Sequence, residues 1–511
     1  MVTYKQEKKE ESRMRIWKKA ISTLTIDRER GTLINEDIIR RIWHYTFNQS
    51  KSTSILSDYY SLNSNILSDF CDFVNQTNKK KYPKDLKVIY FCGPEPENDL
   101  EVMLNLGIRI ENIWAIEQDK ALYIEAIASV KVQFPTLKIY KMKFKDFCES
   151  FPKQKFDIIY LDFTSSLFST NNASTIHYVF DYKMLEDFGV LVTNNAVPLK
   201  EDIEKNSEKY IELLTSFFVK QKMPESCIVG GKNRYTVLSE VSKDYREALL
   251  PDIKQNFYSA YSSFCTLYPI FYSTHISPVY KIFSNKTLSS LLIDESKIKF
   301  DFYDDSMCQE MPSYFVNNLN NDWKKKNAMY ENKEPGTQRN RKQSVDIANA
   351  ILEESFDKLE CDFILESFKT AIEKSYEIIS DFEDMRLFCD LVFIGTLVEF
   401  TIFQLGYPYH VNYTNHERFS YQAKDTEMNI DIFTFDSCRA IYDWYPLFEM
   451  YENNINLLEK QIILRICLDL INGKQTTWAP IRNYQDACNM IAVNEPFDIE
   501  YFQGFTSRDQ I

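Results

Sequence analysis

The chain has 511 residues, 44% of them hydrophobic and 15% aromatic, enough to build large cores and to exclude global disorder and fibrous structure. At roughly 100 to 200 residues per domain, this length predicts two to four domains. Lys and Arg number 60 and Asp and Glu 74, a net charge of −14 that opposes nonspecific phosphate binding by the chain as a whole.

The charge is segregated by region. Residues 1–87 carry 17 basic and 11 acidic side chains, whereas residues 345–511 carry 12 and 29. Eleven cysteines are scattered singly, with no CxxC pair and no clustering with the five histidines, so reduced thiols, a cytoplasmic setting and no metal site are expected. The charged N-terminus lacks the apolar core of a secretory signal. The most apolar run, Leu387 to Gly406, contains Asp390 and Glu399 and reads as a buried core helix, so no membrane partner is expected.

In chain order, ESRMRIWKKAISTL and NEDIIRRIWHYTFNQ show apolar residues at spacings of three and four, with basic residues between them. Asn35 before Glu36 and Asp37 reads as a helix cap. A third helical stretch is expected over 55–74, before the basic turn NKKKYPKDLK. From Lys87 the pattern changes to short apolar runs, VIYFC, IWAIE, LKIYK, FDIIYLDF and VLVTN, alternating with helical stretches NDLEVMLNLG, KALYIEAIASV and YKMLEDFG. Strands and helices alternating at this spacing predict parallel βαβ units with helices on both faces of the sheet.

EDIEKNSEKYIELLTSFFVKQ then reads as a helix, and CIVGG with RYTVLSEV as an antiparallel pair closing the sheet. Residues 245–320, rich in Tyr and Phe, read as an irregular helical extension. The run from Lys324 to Ser344 carries seven basic residues and Pro335-Gly336, and is the best linker candidate. From Val345 onward the pattern is mainly helical.

The chemistry-bearing residues follow the strands. VIYFC delivers the chain into Gly93-Pro94-Glu95-Pro96-Glu97-Asn98-Asp99, where Gly93 permits close approach of a ligand and Asn98 or Asp99 is placed to cap the next helix. The dinucleotide pattern GxGxxG is absent, so a pyrophosphate cradle is not expected. The second strand ends at Glu117-Gln118-Asp119, where an acid can accept hydrogen bonds from both ribose hydroxyls and repel a 2′-phosphate. The third is followed by Lys143-Phe144-Lys145-Asp146-Phe147, an acid for an adenine amino group with a ring to stack on it. The fourth ends at Asp162-Phe163-Thr164-Ser165. Any of these acids can instead serve simply as a helix cap, although Asp119 and Gln118 leave Glu117 less needed for that purpose.

Taken together, this order resembles the class I S-adenosylmethionine-dependent methyltransferases over about residues 85 to 240. The resemblance implies an α/β, Rossmann-like sheet with a helical N-terminal extension and a mainly α C-terminal domain. It also implies S-adenosylmethionine as cofactor, with Cys92, Gly93, Pro94 and Glu95 passing its amino acid part. Glu117 and Gln118 would lie at the ribose, and Asp146 and Phe147 at the adenine. Asp162, Phe163, Thr164 and Ser165 would face the transferable methyl as catalytic and substrate residues.

FDIIYLDFTSS followed by HYVFDYKMLEDFGVLVTNN also looks like amine-directed RNA methyltransferases, but no NPPY or DPPY tetrapeptide follows Asp162. The expected domains are a basic helical region at 1–84, the sheet domain at 85–240, a helical extension at 241–323, the linker at 324–344 and an acidic α-helical domain at 345–511. A methyltransferase acting on nucleic acid, RNA before DNA, or on protein is expected. Nucleic acid would meet Arg13, Arg15, Lys18, Lys19, Arg28, Arg30, Arg40, Arg41 and Lys79 to Lys81 beside the cofactor edge. A protein partner would meet the acidic C-terminal domain. The alternative is a noncatalytic scaffold on the same fold, and a bacterial defence setting fits either reading.

Overall fold

A computed structural model describes residues 7–43, 66–221, 247, 249–278, 408–424, 426–444, 467 and 508–511. The expected closing pair at 227–241, the basic linker and the apolar run at 387–406 lie outside the described residues. No described helix is long and apolar enough to cross a membrane.

The N-terminal helices are α1 (Glu7–Leu24), α2 (Arg28–Gly31), α3 (Glu36–Trp43) and α4 (Ile66–Thr77). The Asn35 side chain accepts a hydrogen bond from the Ile38 N–H at 3.0 Å and so caps α3. Then follow β1 (Val88–Phe91), α5 (Glu97–Asn105), β2 (Ile113–Ile116), α6 (Lys120–Val130), β3 (Lys138–Tyr140), α7 (Phe144–Ser150), β4 (Phe156–Asp162), α8 (Thr170–Asp181) and β5 (Leu185–Ala196). Two further helices, α9 (Lys200–Gln221) and α10 (Phe257–Phe271), precede β6 (His410–Val411), β7 (Glu417–Ala423), β8 (Thr426–Asp436) and β9 (Asp509–Gln510).

The sheet order is β3-β2-β1-β4-β5-β8-β7-β9, with β6 beside β8. The strands from β3 to β5 are parallel, β8 runs antiparallel to β5, and β7 runs antiparallel to β8. Alternation along each strand gives the sheet two apolar faces. Val88, Tyr90, Ile158, Tyr160 and Val192 pack with α1, α5 and α6, while Ile89, Ile159, Leu161 and Leu191 pack with α7 to α10. Trp17 of α1 is fully buried and meets Tyr90 and Tyr160 edge-on, at ring centroid distances of 6.5 and 5.7 Å.

Two expectations are corrected. YKMLEDFG is not a helix. A Schellman closure ends α8 at Asp181: Lys183 takes φ 52°, its N–H donates to Phe180 O, and the Met184 N–H donates to Val179 O. Leu185 onward is then the start of β5.

The other correction concerns 417–436, assigned from sequence to an acidic α-helical domain. These residues form β7 and β8 of the same sheet. Their pattern, NIDIFTF, alternates as a strand should, but Asn429 and Asp431 occupy inward positions usually filled by apolar side chains.

Asp431 explains how the polar inward positions are tolerated. Its carboxylate accepts hydrogen bonds from Thr266 Oγ1 at 2.7 Å and Arg508 Nη2 at 2.6 Å, and meets His416 Nε2 at 3.1 Å. Burial alone pushes an Asp up, but the Arg508 guanidinium and His416 outweigh it and hold Asp431 well below the usual carboxylate range. Arg508 also donates to the Ile430 and Ser262 carbonyls, which ties β9 to α10 and β8. With both ionic side chains almost wholly buried, Arg508→Ala leaves a carboxylate without its cation. The variant should lose about 3 kcal/mol of stability in urea denaturation; a loss under about 1 kcal/mol would show the pair to be structurally idle.

Candidate functional site

The carboxyl ends of β1, β2 and β4 lie side by side, and the chain leaves β1 and β4 toward opposite edges of the sheet. That divergence opens the crevice in which doubly wound folds seat ligands. Backbone bonds fix this rim: Cys92 N donates to Ile116 O, Glu117 N to Tyr140 O, and Phe163 N to Asn194 O.

Gly93 takes φ 58°, a left-handed conformation that disfavours any side chain, and among the described residues an ideal Cβ built there meets nothing within 4 Å. Pro96 stands at the start of α5, so neither Asn98 nor Asp99 is the cap expected there. Asn98 instead donates to the exposed Glu95, and Asp99 turns inward to accept from Trp17 Nε1 at 2.8 Å and to pair with Arg13 at 3.3 Å.

At the end of β2, Asp119 caps α6 by accepting from the Ala121 and Leu122 N–H groups. Glu117 is thereby spared that task. One of its oxygens accepts from the Asp119 N–H at 2.7 Å, and the other has no protein partner among the described residues. Gln118 is exposed. Cys92 is buried with its thiol toward Ile116 O; burial, reinforced by Glu117, pushes that thiol up to about 12, so it is not a reactive nucleophile.

Phe147, expected against an adenine ring, is fully buried among Trp114, Tyr140, Phe151 and Phe156, and its ring is not available to a ligand. Its place in the first turns of α7 turns it into the core while Asp146 stays exposed. Phe163 is likewise buried, with its ring edge toward Phe91, whereas Thr164 and Ser165 are exposed at the rim.

Asp162 is half-buried and accepts from Asn194 Nδ2 at 2.6 Å; the same nitrogen donates to Tyr421 Oη at 3.1 Å. Burial pushes the Asp162 carboxyl above its ordinary value and Asp99 adds to this, while Lys9, the Asn194 hydrogen bond and Arg13 pull the other way. Sequence reasoning missed Asn194 and Tyr421 and took Asp99 for a helix-cap candidate. The polar pair Asn194-Asn195 ending an apolar strand was the available signal for one of them.

The basic turn at Lys79 to Lys81 does not flank this rim. It precedes β1, and Lys81 pairs with Asp157 at the start of β4, which places it at the opposite edge of the sheet. Several basic residues of the N-terminal helices also have internal partners: Arg13 with Asp99, Arg15 with Glu417, Lys19 with Asn415, and Arg40 with Glu36. Arg28 is buried against the Phe188 ring. Among the described residues, no group of three or more His, Cys, Asp or Glu is arranged to hold a metal.

The reversed strand β8, inserted between β5 and β7, completes the arrangement. The fold is α/β and Rossmann-like, a mainly parallel sheet between helical layers. No protein-family model matches the chain, and no curated protein is detectably similar. Among solved structures it aligns with a Staphylococcus aureus protein provisionally described as a caffeoyl-CoA O-methyltransferase. The alignment has 15% identity, covers 41% of this chain and 85% of that one, and gives a TM-score of 0.17. So distant a likeness adds nothing about substrate.

Asp162 offers a pH test. Because folding raises its pKa, the stabilisation from its proton is complete below the unfolded value and is lost as pH rises through the folded value. Asp162→Asn abolishes that loss and keeps an oxygen for Asn194. It should melt above the wild type near pH 8, with the gap closing toward pH 4. A gap of constant size would contradict the assignment.

Proposed function

We propose that the chain is an S-adenosylmethionine-dependent methyltransferase with its cofactor seated against Gly93. The observation that carries this reading is the space at a left-handed Gly93, open among the described residues, beside a Glu117 that retains a carboxylate oxygen with no partner among them. The residues present fit the group. A ribose hydroxyl has Glu117 to donate to, and the same negative charge disfavours a 2′-phosphate. The bare backbone of Gly93 admits the amino acid part, and Asp146, exposed on α7, is the available acceptor for an adenine amine.

When bound, the cofactor supplies an electrophilic methyl on a cationic sulfur. The protein's part is chiefly to align and desolvate the acceptor, since in-line displacement depends on geometry more than on acid-base power. Carboxylates of Glu97, Asp99, Glu117 and Asp162 give the rim a negative field suited to a sulfonium, and those of Glu97, Asp99 and Glu117 all act on Cys92. Asp99 also holds α1 against α5 and β1 through Trp17 and Arg13.

A nucleic-acid acceptor, RNA before DNA, belongs to the same proposal on narrower support than the sequence alone implies. The exposed cations of the N-terminal helices are Lys8, Lys18, Arg30, Arg40 and Arg41, and Arg40 is already paired with Glu36. A protein partner for the acidic C-terminal region remains a further proposal.

Isothermal titration with S-adenosylmethionine tests the central reading. Wild type should bind, and Glu117→Ala should weaken affinity by about tenfold or more, the value of a hydrogen bond to a charged group. Absence of binding heat by the wild type would contradict the reading and favour a noncatalytic scaffold.

A further inference from the structure

The helix α1, outside the alternating strands and helices, runs against β4 with its N-terminus at the carboxyl rim. Its far end lies near the start of β5: the Thr23 carbonyl and the Phe188 ring both stand beside Gly31, and Asn415, just before β7, donates to Thr23 Oγ1. Midway, Trp17 meets the Tyr160 ring and donates to Asp99. Arg13 and Lys9 follow at intervals of four on the same face of the helix. On β4, Tyr160 and Asp162 likewise share one face. Four helix residues advance about 6 Å and two strand residues about 7 Å, so Arg13 reaches the level of Asp162 and Lys9 passes beyond it, over the rim.

The two cations are placed differently. Arg13 is paired with Asp99 at 3.3 Å; burial pulls its guanidinium down, and Asp99, Tyr160 and Asp162 outweigh it. Lys9 is half-buried, and its side chain makes no ion pair or hydrogen bond among the described residues. Burial raises the Asp162 carboxyl, and the charge of Lys9 opposes that most, with Arg13 adding to it. Lys9 also sits in the first turn of α1, where the helix dipole disfavours a cation. The stability of α1 therefore does not account for it.

We infer that Lys9 and Arg13 set the charge selectivity of the cofactor seat, restraining its preference for the cationic sulfonium of S-adenosylmethionine over the neutral thioether of S-adenosylhomocysteine. This rests on the methyltransferase reading above. The two molecules differ by one methyl and one positive charge. The rim carboxylates act on that charge in one sense, and the α1 cations act on it in the other.

A restrained preference serves the reaction. During transfer the acceptor's lone pair forms the new bond to the methyl carbon while the C–S bond breaks with its electron pair kept by sulfur. Carboxylates that hold the sulfonium tightly beforehand lose that attraction on the way, so an unopposed negative rim would raise the barrier. Lys9 and Arg13 limit this loss without touching the adenosyl part.

The test is calorimetric titration of both molecules at pH 8 into wild type, Lys9→Met, Lys9→Arg and Arg13→Met. The quantity read is the ratio of the S-adenosylmethionine affinity to the S-adenosylhomocysteine affinity. A site merely loosened by a substitution weakens both and leaves the ratio unchanged. In Lys9→Met the ratio should rise about threefold or more, the effect of one nearby, partly screened charge. Arg13→Met should shift it the same way, Asp162→Asn should lower it, and Lys9→Arg should keep the wild-type value. Failure of wild type to bind either molecule overturns the methyltransferase reading itself. Binding of both with a ratio that stays or falls in Lys9→Met, or that rises equally in Lys9→Arg, overturns the role of α1 and leaves that reading standing.

Discussion

β1 and β4 pair side by side in parallel, yet the chain runs from β1 toward β2 and β3 and from β4 toward β5. No crossover then covers the gap between their carboxyl ends, and the loops beginning at Gly93 and after Asp162 part there. Everything distinctive about the rim follows from that divergence. A glycine in the left-handed region turns the first loop away and leaves bare backbone, and the acid ending β4 stands on the other side.

The rim is held from behind by polar groups that a simple apolar core would not contain. Asp99 takes Trp17 and Arg13, Asn194 takes Asp162 and Tyr421, and on the other face Asp431 takes Arg508, Thr266 and His416. The last set is fully partnered around its carboxylate and reads as structure. The pair at Asp162 and Asn194 is not, since one buried oxygen lacks a donor and the Asp162 carboxyl is raised by burial.

Much of the sheet was legible because parallel strands buried on both faces read as short apolar runs; VIYFC and IWAIE stand out between polar helices. That Glu117 is not used as the helix cap was legible too, since Asp119 two residues later supplies that cap. What failed was long-range. Asp99 looked like a local cap, whereas its partner Trp17 lies 82 residues away. The strands β7 and β8 hid because polar Asn429 and Asp431 interrupt the apolar pattern of β8, and Asp431 is satisfied by distant side chains, one of them Arg508. Phe147 misled in the opposite sense. A ring beside an acid suggested a stacking site, but helical geometry turned the ring inward and left the acid outside.

A crystal structure grown with S-adenosylhomocysteine bears on the central claim most directly. The account predicts adenosyl density lying against Gly93, with a ribose oxygen within hydrogen-bonding distance of Glu117 and the sulfur turned toward Asp162. Clear density for the ligand elsewhere on the molecule, or a rim closed by the protein's own side chains at saturating ligand, would contradict it.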